Sequence, residues 1–487
     1  MVGEWLPRVT DLLPSDAQRP AFSAASLAAA MDGRLLRDSD RPIRGAAVDS
    51  RRVDPGNAFF ALPGERTDGH GFLAEAVGRG ATALVVTDPP AEAELDRLAG
   101  RGAAAIAVDD GLVALGRAAG EWRTRFAPLV VGVTGSLAKT SVKEQAAEVL
   151  AERWGEDVLR NVANENNEIG LPLTLLRLAP RHTAAVLELG MYVPGDIAQL
   201  AALARPRIGV VTAVRATHIS RAGTIEAIEA GKRELVEALP ADGTAVLNAD
   251  DERVARMADA LAPTLRVLRY GWSADAEVTA TDVESLAERG MRFTLVTPLG
   301  TAAVESPALG RHAVHNALAG ATVGLAAGLD LATIARGLAR PYSAPHRSAL
   351  LRIGPWLVLD DSYNAAPDSM IAALELLASL PGRHVAILGE MLELGATSAE
   401  AHRRIGAHAG GLVELLLAVG PSAELYAAAA RGGRATTIAL PDRAAAEAVL
   451  AAELRAGDAV LLKGSRGAAM DELLPVLERL AGAGART

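Results

Sequence analysis

The chain has 487 residues, half of them hydrophobic and 22% charged, with a formal net charge of −10 at neutral pH. That length exceeds one ordinary domain and suits about three, and the apolar content excludes wholesale disorder. The acidic balance argues against a general nucleic-acid binder, which needs a basic face, and the absence of cysteine excludes disulfides, thiolate metal sites and a cysteine nucleophile.

In chain order, residues 1–14 carry Glu4 early and lack a basic start followed by an apolar stretch, so no signal peptide is expected. No apolar run free of charge or proline is long enough to span a bilayer, so a soluble, cytoplasmic protein is expected. Residues 44–112 hold short apolar runs at 81–86 and 103–108 between turn-rich segments, which predicts a small α/β domain. Residues 123–127, closed by Pro128, form a connection. From Leu129 strands alternate with helices: strands at 129–133, 184–189, 208–213 and 243–247, and an amphipathic helix over 142–154. Such alternation predicts a doubly wound, mostly parallel sheet. Residues 266–305 read as short paired strands and 313–338 as helices, and Pro341 and Pro345 mark a second boundary. Beyond it, strands at 357–359, 384–388, 413–419 and 459–462 predict a second nucleotide-fold-like domain. The expectation is an α/β protein of three domains, 1–127, 128–340 and 341–487, with a nucleotide cleft between the second and third.

The segment Gly135-Ser136-Leu137-Ala138-Lys139-Thr140-Ser141 follows a strand and opens a helix. Backbone N–H groups there can cradle phosphate, Lys139 can neutralise it, and the Thr140 hydroxyl can ligate magnesium. A phosphate loop normally has glycine before the lysine, where this chain has Ala138. With a positive φ there, the added Cβ costs about 1–2 kcal/mol; with a negative φ, alanine fits with slight crowding. Glu188 closes a buried strand, at the carboxyl edge where doubly wound sheets bind ligands. His218 follows the next strand through a short loop and can reach the same crevice. Glu188 and His218 form an acceptable magnesium shell. Lys232, in the helical text 224–239, would repel a metal as an ammonium. It is a structural cation, a surface lysine paired with Glu229, or chemically converted to an anion.

The phosphate loop, Asn164-Glu165-Asn166-Asn167-Glu168-Ile169-Gly170, Glu188-Leu189-Gly190-Met191 and Asn248-Ala249-Asp250-Asp251 resemble the central domain of the Mur ligase family. Asp49-Ser50-Arg51 and 64–72 resemble the amino-terminal domain of its D-alanyl-D-alanine-adding branch, and 360–370, 388–395 and 463–467 its carboxy-terminal domain. The resemblance runs from about residue 49 to 466. It implies a central ATPase domain with a phosphate loop, a Rossmann-like carboxy-terminal domain, and a small α/β amino-terminal domain holding the uridine-diphosphate end of the precursor. The implied reaction is ATP- and Mg2+-dependent ligation of D-alanyl-D-alanine to UDP-N-acetylmuramoyl-tripeptide through an acyl phosphate, by a monomer.

Carried over by position, Lys139 would contact the ATP phosphates, while Thr140 and Glu188 would hold one magnesium and His218 a second. Lys232 matches a lysine that many of these ligases carbamylate. Asn316 matches an adenine contact, and Arg347 and Asp361 (with Asp360 the neighbouring register) match residues that reach the nucleotide on closure. Ser50, Arg51, Asp68, His70, Asn166, Asn167, Tyr363 and Asn364 fall in the substrate-binding motifs. Departures from the family pattern are Leu137-Ala138, Arg215 in place of a small residue, and Ala366 in place of asparagine. Rival readings are another amide ligase of the superfamily and a non-catalytic paralogue. The amino- and carboxy-terminal motifs speak against the first, and retention of the catalytic set speaks against the second.

Overall fold

The computed structural model describes residues 20–64, 67–162, 164–215, 221, 223–342 and 344–484. They fall into two compact units: residues through 129 with 165–185 and 202–204, and residues 130–164, 186–201 and 205 onward.

In the first unit, strands β1 (Arg34–Arg37), β2 (Ala46–Ala47), β3 (Ala58–Phe60), β4 (Ala83–Val86) and β5 (Ala104–Ala107) form a sheet in the order β1-β5-β4-β3-β2. All its pairings are parallel except β1 with β5. Strands β3 and β4 are buried along their whole length, as expected where both faces are covered. The 3₁₀ turns Ser50–Arg52 and Gly69–Phe72 follow β2 and β3, so both lie at the carboxyl edge of this sheet.

The central sheet comprises β6 (Leu129–Thr134), β7 (Val158–Arg160), β8 (Ala184–Glu188), β9 (Ile208–Val211), β10 (Thr244–Asn248) and β11 (Arg266–Tyr270), in the order β11-β10-β9-β6-β8-β7. The chain leaves β6 for β7 and β8 on one side, then crosses to β9, β10 and β11 on the other. This reversal opens a crevice at the carboxyl end of β6, the usual ligand position in such sheets. The paired-strand reading of 266–305 divides: β11 joins the central sheet in parallel, whereas β12 (Thr279–Ser285), β13 (Met291–Thr297) and β14 (Gly300–Ser306) form an antiparallel sheet.

Strands β15 (Ala349–Ile353), β16 (Trp356–Asp360), β17 (His384–Leu388), β18 (Leu415–Val419), β19 (Thr436–Leu440) and β20 (Ala459–Lys463) form a third α/β sheet, in the order β15-β16-β20-β17-β18-β19. Only β15 pairs antiparallel. Alternate residues feed separate cores on its two faces, Leu359, Ala386, Leu388 and Leu461 on one and Val358, Val385, Ile387 and Val460 on the other.

The helix Lys139–Trp154 begins three residues before the amphipathic run, because its first turn is the polar loop end and carries no apolar period. Its middle is buried nearly all round, including Lys143, Glu144, Gln145 and Glu148. Glycines on neighbouring helices make this possible. A Cβ on Gly320 would sit 2.8 Å from Gln145 Cγ, one on Gly324 2.7 Å from Val149, and one on Gly337 2.5 Å from the Val149 Cα. The last contact is against backbone and has no flexible tip to give way. Gly337→Ala would gain about 0.5–1 kcal/mol of helix propensity, but overpacking costs about 1–3 kcal/mol. The expected net result is a lower thermal midpoint; an unchanged or raised midpoint by calorimetry would contradict the packing argument.

Candidate active site

The phosphate loop is built by two close approaches at the carboxyl end of β6. Gly135 has φ +147°, and a Cβ there would lie 1.9 Å from Thr212 Oγ1. No other residue fits. The loop is then pinned from the β9 side: Thr212 Oγ1 donates to Leu137 O at 2.6 Å, Ser136 N donates to Ala213 O at 2.7 Å, and Arg215 N donates to Ser136 Oγ at 2.9 Å. Ala138 caps the helix Lys139–Trp154 from the left-handed region, with φ +62° and ψ +4°. Of the two backbone alternatives, the structure takes the strained one. Strain of about 1–2 kcal/mol is within reach of three hydrogen bonds contributing about 0.5–1.5 kcal/mol each.

Lys139 Nζ donates to Gly135 O at 2.8 Å, so the ammonium lies over the loop it follows. Its pKa is lowered, first by burial and further by Arg347, while Glu188 opposes the shift. Thr140 Oγ1 donates to Glu188 Oε2 at 2.6 Å, and Glu188 is 2% exposed. Asn161 holds the Glu188 main chain on both sides, its Oδ1 accepting from Glu188 N at 3.0 Å and its Nδ2 donating to Glu188 O at 3.1 Å. A hydroxyl and a carboxylate, both hard oxygen donors beside a phosphate loop, fit a magnesium ion. His218 lies outside the described residues.

Lys232 sits in the helix Ile225–Glu237, capped by Thr224, and is 5% exposed. Its pKa falls well below the usual lysine value, first through burial and then through Lys139. The surface-pair alternative fails. Glu229 is occupied by Arg253 NH1 at 2.7 Å and Arg256 Nε at 2.7 Å, and among the described residues no hydrogen-bond or ion-pair partner of Lys232 is found.

From the third sheet, the Arg347 guanidinium lies 4.0 Å from the Tyr363 ring centroid, within reach of Lys139 electrostatically. His346 and Ser348, on either side of Arg347, both have positive φ, +59° and +49°. The consecutive aspartates at the end of β16 hold this turn together. Asp360 accepts from His346 Nδ1 at 2.7 Å, and Asp361 accepts from Ser348 N at 2.9 Å. Lys463 Nζ, nearly fully buried, donates to Asp361 Oδ2 at 2.5 Å and to Asn364 O at 3.0 Å. Both aspartates thus support the Arg347 turn, with Asp360 buried and Asp361 partly open. Asn316, on the helix Arg311–Ala326, is 6% exposed. Ser141 lies in the first turn of the phosphate-loop helix and is half-buried.

In the first unit, Asp49 and Arg51 form a two-point pair at 2.9 and 2.7 Å, which pulls the Asp49 carboxyl down to about 2. Ser50 Oγ donates to Glu75 at 2.9 Å. Asp68 accepts from His70 Nδ1 at 2.7 Å, and His70 Nε2 accepts from Thr87 N at 3.1 Å, so both ring nitrogens are engaged. Arg52 reaches Glu165 at 3.1 Å, and Asn167 accepts from Gly170 N at 2.9 Å, which places Asn166 and Asn167 in the same unit as the two turns.

Three family models match consecutive stretches: Mur ligase family, catalytic domain, over 42–123; Mur ligase middle domain over 133–324; and Mur ligase, glutamate ligase domain, over 346–466. The UDP-N-acetylmuramoyl-tripeptide–D-alanyl-D-alanine ligase of Escherichia coli is 36% identical over 91% of this chain and 95% of its own length. The enzyme of that name from Mycobacterium leprae is 37% identical over 90% and 94%. The chain belongs to the Mur ligase family. Among solved structures, MurF from Acinetobacter baumannii matches with a TM-score of 0.83 at 29% identity, over 95% of this chain and 99% of that one. MurF from Thermotoga maritima in complex with ADP matches at 0.76 and 26%, over 90% and 98%. A folylpolyglutamate synthase at 17% identity shares the fold alone.

In this Mur ligase, sequence reasoning missed Asn161, Thr212 and Lys463 as the groups that hold Glu188, the phosphate loop and Asp361. Lys463 stands in one of the carboxy-terminal motifs that carry the resemblance, whereas Asn161 and Thr212 carry no local signal. Ala366 occupies an N-cap position, and Ser369 Oγ accepts from its N–H at 3.0 Å, which compensates in part for the missing capping side chain.

Because Ala138 is held at positive φ, Ala138→Gly should keep or improve affinity for ATP, by up to about fivefold on a relief of about 1 kcal/mol. Calorimetric titration with nucleotide checks this, and a clear loss of affinity would show a loop rebuilt around alanine.

Proposed function

We propose that this chain joins D-alanyl-D-alanine to UDP-N-acetylmuramoyl-tripeptide, converting ATP to ADP and phosphate. The observation that carries the reading is the Thr140–Glu188 pair at the mouth of a phosphate loop, in a chain similar along nine-tenths of its length to ligases of that name.

An unactivated carboxylate resists amines, so one of its oxygens first takes the γ-phosphoryl group of ATP. The phosphoryl step mainly needs positioning and charge neutralisation. The loop N–H groups from Leu137 to Thr140 and the Lys139 ammonium provide both, Lys139 exchanging its contact with Gly135 O for phosphate oxygen. When bound, magnesium supplies further neutralisation of the phosphates; Thr140 and Glu188 are the residues that would hold one ion, and His218 a second. The dipeptide amine then attacks the acyl carbon, the C–O bond to phosphate breaks, and a proton leaves the new amide nitrogen. Arg347 stabilises the charge that builds up on oxygen.

Lys232 is best suited to this site as a carbamate. A buried ammonium beside Lys139, with Glu229 already engaged, adds repulsion, whereas a carbamate adds an anionic oxygen. Asn316 and Asp361 are assigned to the nucleoside. Ser50, Arg51, Asp68, His70, Asn166 and Asn167 are assigned to the nucleotide-linked precursor, and Tyr363 and Asn364 to the incoming dipeptide. The domains are drawn at 1–127, 128–340 and 341–487, with ATP between the second and third. The chain is assigned as a monomer. No described helix is long and apolar enough to cross a membrane, and consumption of ATP suits the cytoplasm.

Phosphate release should require ATP, the UDP-linked tripeptide and D-alanyl-D-alanine together; equal turnover with single amino acids would overturn the substrate assignment. Lys139→Ala should lower the rate by about 10²- to 10³-fold, in line with loss of a charge-stabilising donor, with little change in thermal midpoint. Lys232→Ala should lose activity and regain part of it with added short carboxylates, and near-normal unrescued activity would remove Lys232 from the mechanism.

A further inference from the structure

Arg215 is an arginine where the family pattern has a small residue, and the structure gives it polar contacts in three directions. Its main chain belongs to the phosphate loop: Arg215 N donates to Ser136 Oγ at 2.9 Å, and that hydroxyl donates to Arg215 O at 3.1 Å. Its guanidinium reaches Asp251 through NH1 and Asp368 Oδ2 through Nε at 2.9 Å. Asp251 is an anchored anion, 3% exposed, that also accepts from Val214 N at 2.9 Å and caps the short helix Glu252–Ala255. Asp368 belongs to the first turn of the helix Pro367–Ala378, directly after the segment 361–366 that carries Tyr363 and Asn364. The guanidinium thus spans from the central sheet to the third sheet. Lysine, a single point charge, could not serve two carboxylates in this fixed fork geometry.

We propose that Arg215 is a positioning residue that couples the phosphate loop to the carboxy-terminal region through Asp368. The helix Pro367–Ala378 is held through Arg215, whose own N–H and C=O hold Ser136. Nucleotide held at the loop therefore favours the seated helix, and the seated helix favours bound nucleotide. The proposal rests on the ATP reading above.

The test measures binding of a non-hydrolysable ATP analogue with magnesium to the full chain by calorimetry, which is independent of the acceptor substrates. Asp368 is half-exposed, so Asp368→Asn leaves the fold alone. It should weaken analogue binding about two- to fivefold, and 0.5 M salt should close the gap to wild type by screening the ion pair. In an Arg215→Ala background, Asp368→Asn should have no further effect. A loss of helix capping at Asp368 would instead persist in both backgrounds and at high salt. Wild-type affinity in the Asp368→Asn variant, additive losses, or a gap unchanged by salt each overturn the coupling. Failure of the wild-type chain to bind the analogue would overturn the ATP reading itself. Should Arg215→Ala not fold, the salt comparison decides alone.

Discussion

The contact between Gly135 and Thr212 governs the nucleotide site. Strand β6 must turn into the helix Lys139–Trp154 while β9 runs beside it, and the backbone at Gly135 comes so close that even a methyl group is excluded. That approach lets Thr212 reach the Leu137 carbonyl and fixes the direction in which the loop N–H groups point. The helix behind the loop is equally constrained, because glycines at 320, 324 and 337 bring neighbouring helices against it. A helix packed on all sides cannot shift to accommodate a ligand. The position of the loop is therefore set by the packing of the core.

The electrostatics follow from this rigidity. The chain as a whole is acidic, at −10, yet Lys139 feels Arg347 as well as Glu188, and Lys232 feels Lys139. Burial removes the water that would otherwise screen the like charges, and the lowered pKa of both lysines records that cost. A polyphosphate supplies the missing negative charge, so the site gains most from a ligand with several anionic oxygens. Asn161 has a quieter part. By pairing with both main-chain groups of Glu188 it fixes the carboxylate without adding charge.

Much of the fold could be read from the chain because parallel strands buried on both faces leave continuous apolar runs, such as 129–133 and 384–388, separated by helical text. The phosphate loop was visible because its residue types are demanded by backbone chemistry. What could not be read depends on partners distant in sequence. The φ of Ala138 is set by Thr212 and Ala213, more than 70 residues away. Glu229 looks like a partner for Lys232 from helical spacing alone, but two arginines of the segment 251–260 claim it first. The strand at 266–270 is as short and mixed in polarity as the antiparallel strands that follow it, and its pairing with β10 makes it parallel.

The distribution of backbone strain adds a last constraint. Of the nine described non-glycine residues with positive φ, three, Ala138, His346 and Ser348, flank Lys139 or Arg347. At about 1–2 kcal/mol each, their combined strain is a sizeable fraction of the stability of a typical domain, about 5–15 kcal/mol. It persists because each is overdetermined: Ala138 by the bonds that Thr212 and Ser136 make, His346 by Asp360 and the Tyr363 N–H, Ser348 by Asp361. In the Arg347 turn, glycine on either side would relieve the strain but leave the arginine free to sample other directions. In the proposed reaction Arg347 meets a developing negative charge, and an arginine in that role gains from being aimed beforehand, since orientation not lost at the moment of reaction is barrier not added. The same logic explains why Lys463 is buried. Its bonds to Asp361 and Asn364 fix the carboxylate that accepts from Ser348 N, so a nearly fully buried residue supports the turn that carries Arg347.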